Sequence, residues 1–131
     1  MVVRLWQTGP DFAGDLPAID PSTYVAVVTR CHRTDLAALR RVAGSPAAYL
    51  GLIGSRRKVA VVMDRLREEG VPEEARGRIR APIGLPIGAC TPEEIAVSIA
   101  GEMIRVRRNF APAGREVIPI SRPAERPRRR D

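Results

Sequence analysis

The stretch Ala48–Lys58, AYLGLIGSRRK, constrains this chain more than any other. Ala48–Ile53 is a short apolar run stopped by Gly-Ser, the pattern of a buried strand. Val59, Val62, Met63 and Leu66 then fall at helical spacing, so a helix starts at once. Ser55 is a good N-cap and Gly54 permits a tight turn. A strand feeding a helix through such a turn aims free backbone N–H groups over the sheet end. Arg56, Arg57 and Lys58 add positive charge at a place already favourable to anions. The same residues also read as an ordinary helix cap carrying solvated arginines.

Other segments repeat the alternation. Tyr24–Thr29 (YVAVVT) is a β-branched apolar run and a second strand. A helix follows through Leu36, Leu39 and Val42, with Thr34 or Asp35 as its expected N-cap and Gly44 at its end. The helix 55–69 is ended by Gly70, with Pro72 beyond. Val2–Trp6 reads as a short first strand, Gly9–Ser22 as a loop, and Glu73–Ile79 as a short helix. Ala81–Ala89 (APIGLPIGA) has too much Gly and Pro for a regular element and reads as an ordered apolar loop. Thr91-Pro92-Glu93-Glu94 is a capping box with Pro at the first helical position. Ile95, Ile99, Met103 and Val106 mark the expected apolar face of the helix it opens. Capping is the first reading of Glu93 and Glu94, ahead of a catalytic role. This order of elements predicts an α/β fold with parallel strands.

The formal charge of +7 suggests a nucleic-acid partner until it is divided along the chain. Residues 1–104 hold 13 basic and 12 acidic side chains, whereas 105–131 hold nine arginines and three acids. The excess therefore sits in the C-terminal segment, which carries four prolines between 112 and 127. Residues 109–131 read as a flexible Arg/Pro-rich tail. Without interleaved aromatics, base stacking has no support and nucleic acid is not an expected partner. The two cysteines, Cys31 and Cys90, make no CxxC or Cys/His spacing, so neither a disulfide framework nor a metal site is expected. No segment is long and apolar enough to span a membrane, and the N-terminus lacks a secretory pattern, so a cytoplasmic location is expected.

Three segments together carry a family resemblance: VVTRCHRTDLAAL (27–39), GLIGSRRK (51–58) and RIRAPIGLPIGACTPEEIAVSIAGEMI (78–104). They resemble the C-terminal domain of the XdhC/CoxI family over about residues 24–108. That resemblance implies a Rossmann-like open parallel sheet with flanking helices. It also implies an accessory factor, or chaperone, for a molybdenum hydroxylase such as xanthine dehydrogenase or carbon monoxide dehydrogenase. Such a factor binds the molybdenum cofactor, as molybdopterin or its dinucleotide, and helps its sulfuration or insertion. The hydroxylase subunit is the implied partner, and a homodimer is expected. Family members begin this domain with a glycine-rich strand–turn–helix. This chain has no G-x-G-x-x-G, so the reading is a shortened stand-alone form with a sheet incomplete on its N-terminal side. Where relatives carry Thr-His-Asp, the chain has Thr29-Arg30-Cys31, with His32 shifted by one and Asp35 at the downstream acidic position.

The candidate cofactor-binding residues are Thr29, Gly54, Ser55, Arg56, Arg57, Pro82 and Gly84. In this reading Pro82 and Gly84 wall the cleft, with Gly84 admitting close approach of a ligand, although the same loop also reads as packing over the sheet. Cys90, just before the Thr91 cap, and Cys31 beside His32 are candidate reactive thiols, though most lone cysteines are small buried hydrophobes. No residue is assigned a catalytic role, and cofactor handling is preferred to enzymatic activity. A nucleotide-binding Rossmann-type oxidoreductase using NAD(P) and a non-catalytic interaction or oligomerisation module are the alternatives.

Overall fold

A computed structural model describes residues 5, 7–9 and 11–109. Three parallel strands, β1 (Tyr24–Val27), β2 (Tyr49–Leu52) and β3 (Ile79–Arg80), lie in the order β1-β2-β3. Tyr24 stands opposite Tyr49 and Leu50 opposite Ile79. The helices are α1 (His32–Val42), α2 (Arg56–Glu68), α3 (Glu73–Gly77) and α4 (Pro92–Arg107). This is the expected Rossmann-like α/β arrangement. The strand expected over Val2–Trp6 lies outside the described residues apart from exposed Leu5, as does the tail beyond Asn109.

Side chains alternate across the sheet, as pleated strands require. Val27, Leu50, Leu52 and Ile79 join Ala38, Leu39 and Val42 of α1 and Val62 and Leu66 of α2 in one buried cluster. Phe12, Leu16 and Ile19 from the loop before β1 pack against it. Arg41 holds that loop by donating to the carbonyls of Phe12 and Gly14. Tyr49 and Gly51 point to the other face. A Cβ on Gly51 would lie 2.5 Å from the Ile83 side chain, so glycine here seats the 81–89 loop directly on the strand.

Several sequence expectations need correction. The helix expected to start at Thr34 or Asp35 begins at His32, with Cys31 in the N-cap position and no side-chain cap bond. Asp35 is unavailable as a cap because its carboxylate is buried in other contacts. The helix expected over Glu73–Ile79 stops at Gly77, and Ile79 instead enters β3, parallel to β2. Arg78 fixes that turn by donating to the Ser45 and Ala47 carbonyls. On α4, Ile95, Ile99, Met103 and Val106 are only half-buried, and the buried positions are Ser98 and Glu102.

Candidate functional site

The end of β2 at Leu52 and the cap at Ser55 leave a gap above the C-terminal edge of the sheet, where open α/β sheets receive ligands. Ser55 caps α2 as the sequence predicts, accepting from the Lys58 N–H at 3.2 Å. A groove of about 430 Å³ opens there. Ile53, Gly54 and Arg56 line one side, the 82–89 loop the other, and Ile95 and Ser98 of α4 close the end. Its walls are mostly aliphatic. Among the described residues no carboxylate pairs with Arg56 or Arg57, and α2 adds its N-terminal partial charge. A mostly aliphatic groove with a guanidinium at its rim suits a flat ring system bearing an anionic group.

The loop wall is built from long-range contacts that periodicity does not register. Glu102, whose side chain is 7% exposed, accepts from the Tyr49 hydroxyl at 2.7 Å and from the Gly84 N–H at 2.9 Å. Arg80 and Arg105 stand 3.9 Å from its other oxygen. Arg80 also lies over the Tyr49 ring, 5.9 Å from the centroid. Burial and the adjacent Glu102 carboxylate push the Tyr49 phenol far above its ordinary range, so it remains a neutral donor. Gly84 has φ +96°, and a Cβ there would overlap Ser98 Oγ and come within 3.2 Å of Ser98 Cβ. The close approach that Gly84 permits is therefore to α4, while the residue still lines the groove.

A second centre ties the first two strand ends together. Asp35 is fully buried; its Oδ1 accepts from Thr29 Oγ1 at 2.6 Å and its Oδ2 meets the Lys58 ammonium at 2.5 Å. The Lys58 contact is an ion pair rather than an aligned hydrogen bond. Lys58 is the only lysine in a chain with 21 arginines. Its charge is neutralised by Asp35, so the cation count of the Gly-Ser-Arg-Arg-Lys turn falls to two.

The seven candidate residues thus separate. Gly54, Arg56, Pro82 and Gly84 meet in the groove. Ser55 and Arg57 line a smaller depression of about 260 Å³ with His32, Lys58 and Val61. Thr29 supports Asp35 and borders an apolar hollow beside β1. Arg56 and Arg57, adjacent in sequence, face different sides of the α2 N-terminus. His32 shares Arg57's depression, which places the segment after β1 at the same edge as Ser55.

Both cysteines are free and exposed, and Cys31 makes the closer side-chain contact. It sits at the N-cap of α1, 3.1 Å from Thr34 Oγ1, and that hydrogen bond holds its thiol below the ordinary range. At α4 the Glu94 carboxylate, not Cys90, occupies the helix N-terminus. It accepts from the Cys90 N–H at 2.7 Å and the Thr91 N–H at 3.0 Å. Glu102 and Tyr49 were not singled out by the sequence pattern; a buried-side glutamate among apolar α4 positions was the available signal. Among the described residues no three His, Cys, Asp or Glu side chains gather as a metal site, and no helix is long and apolar enough to cross a membrane.

The chain is 43% identical over 105 residues to the uncharacterised protein YqeB of Escherichia coli (strain K12), covering 79% of this chain and 19% of that protein. It is 32% identical over 87 residues to the molybdenum cofactor insertion chaperone PaoD of the same organism, covering 65% of this chain and 27% of PaoD. A crystal structure described as a xanthine dehydrogenase from Bacillus halodurans superposes with a TM-score of 0.59 at 27% identity, over 76% of this chain and 27% of that one. The chain therefore spans about a fifth to a quarter of the length of these relatives. The XdhC Rossmann domain matches residues 2–103, and the chain belongs to that family.

Proposed function

We propose that this domain serves the maturation of a molybdenum hydroxylase of the xanthine dehydrogenase or carbon monoxide dehydrogenase type, by holding the molybdenum cofactor for sulfuration or insertion. The observation that carries this reading is the groove at the strand ends, aliphatic along its walls and bearing Arg56 without a described ionic partner. A pterin ring system with a phosphate or pyrophosphate arm matches both features: the ring displaces water from Ile53, Ile83 and Ile95, and the arm reaches Arg56 and the α2 N-terminus. PaoD, named as a cofactor insertion chaperone, supports the same reading through its similarity.

In this function the residues bind and orient their cargo. Glu102 and Tyr49 fix the loop wall through the Gly84 N–H, and Ser98 sets its distance from α4. Asp35 draws Lys58 inward and leaves Arg56 as the anion contact at the groove rim, with Arg57 over the neighbouring depression. The test is a titration of the purified chain with molybdopterin dinucleotide, with an expected Kd in the micromolar range, roughly −8 kcal/mol. Arg56→Ala with Arg57→Ala weakens binding at least tenfold. Unchanged affinity in that double variant removes the groove assignment. Retention on an NAD(P) resin, competed by free nucleotide, supports the oxidoreductase alternative.

A further inference from the structure

The depression beside the groove gathers hydrogen-bond donors that the groove does not use. His32, Ser55, Arg57, Lys58 and Val61 line its volume of about 260 Å³. His32 opens α1 and Arg57 lies in the first turn of α2. These helices follow neighbouring parallel strands, so the positive ends of both reach one place. His32, Ser55, Arg57 and Val61 are all exposed, and the depression is open to solvent without any rearrangement.

Donors here outnumber acceptors. Among the described residues, Arg57 pairs with no carboxylate. Ser55 Oγ accepts from the Lys58 N–H, which leaves the hydroxyl hydrogen to donate. An imidazole offers at least one N–H donor in either charge state, and His32 brings it to the same depression. The carboxylate that meets Lys58, Asp35, is fully buried and also accepts from Thr29, so it does not compete for Arg57. A guanidinium, an imidazole and a hydroxyl around one open space match a tetrahedral oxyanion, which accepts several hydrogen bonds at once. Val61, 45% exposed, adds an apolar patch that a bare anion leaves uncovered.

We propose that this depression is a second anion site, separate from the groove, which takes a phosphate monoester. Arg57, His32 and the Ser55 hydroxyl hold the phosphate, and the organic group of the ester lies against Val61. Lys58 adds little net charge because Asp35 neutralises it. Arg56 and Arg57, adjacent in sequence, then serve two different anions, one on each side of the α2 N-terminus. The assignment does not depend on what the groove holds.

Titration of the isotope-labelled full chain with phenyl phosphate and with inorganic phosphate, followed by amide chemical shifts, is the test. Saturable shifts are expected at His32, Arg57 and Val61, with a dissociation constant on the order of a millimolar for inorganic phosphate. Phenyl phosphate should bind severalfold tighter, because only it covers Val61. Arg57→Ala weakens both at least tenfold while the circular dichroism is unchanged, and Arg57→Lys keeps part of the affinity. Arg56→Ala leaves the shifts at His32 and Val61 in place. Shifts confined to Gly54, Gly84 and Ser98 put the anion in the groove and overturn the proposal. Linear shifts that never saturate, or an Arg57→Ala titration that matches the unsubstituted chain, overturn it too. Equal affinity for the two probes overturns the monoester assignment.

Discussion

Replacing Gly84 by alanine tests the contact between the groove wall and α4. Two costs add. A non-glycine residue at φ +96° carries about 1–2 kcal/mol of backbone strain. The new methyl also overlaps Ser98 Oγ, with Ser98 Cβ at 3.2 Å and the Ile99 nitrogen at 3.3 Å, and forcing it into that space costs about 1–3 kcal/mol. The expected loss is about 3 kcal/mol, or roughly 12 °C in Tm for a domain of this size. Ser98→Ala separates the two costs. It removes the overlapping oxygen and forfeits only the local bond from Ser98 Oγ to the Ile95 carbonyl, so alone it is nearly neutral. In the double variant the overlap is relieved and the strain stays. The double-mutant cycle should therefore show about 1.5 kcal/mol of favourable coupling. Urea denaturation followed at 222 nm reads all four corners, with equal m-values confirming a shared denatured state. Gly84→Ala costing less than about 1 kcal/mol, or costs in the double variant that simply add, refutes the wall geometry.

Three further outcomes follow from the same contacts. Lys58→Met strands a fully buried Asp35 and should cost about 3 kcal/mol, whereas Asp35→Asn should cost less because Lys58, 24% exposed, can turn to water; equal losses by urea titration refute that asymmetry. Thr34→Val should slow iodoacetamide alkylation of Cys31 at pH 7–8 in a Cys90→Ser background, since the hydroxyl that lowers the thiol pKa is gone; an unchanged rate shows that the hydroxyl does not activate it. Backbone N–H groups of Thr91 and Cys90 hold Glu94 below its ordinary pKa, so its cap contribution is complete above the unfolded-state value near 4.5 and is lost as pH falls through the lower folded value. The stability of Glu94→Gln should accordingly depend less on pH across that acid range, and parallel curves contradict the assignment.

What was legible in the sequence was local. The Ser55 cap and the Thr91–Glu94 box were readable because every partner lies within three residues, and the two longer strands because apolar runs bounded by turn residues have few other solutions. β3 is not legible because two residues carry no period, and Ile79 also completes an apparent helical turn after Glu73. The start of α1 is not legible because Asp35 is a good cap by composition, yet its carboxylate is taken by Thr29 and Lys58. Lys58 looks like part of the cation cluster because nothing nearby in sequence reveals an acid 23 positions earlier. The groove wall was the hardest part: Tyr49 and Glu102 are 53 residues apart, and only tertiary packing identifies one as the other's partner.

The attachment of α4 has a consequence for how the domain breathes. The main apolar cluster draws on β1, α1, β2, α2 and β3, while α4 is held through the 81–89 loop and the Tyr49–Glu102–Gly84 bonds. Opening of α4 therefore leaves that cluster intact, and amide exchange should separate into a slow tier over β2 and α2 and a faster tier over α4 and the loop. The groove exists only while the faster tier is closed. Any molecule seated in it must slow exchange along α4 in proportion to its occupancy, so the helix on the far side of the wall becomes a reporter of the ligand.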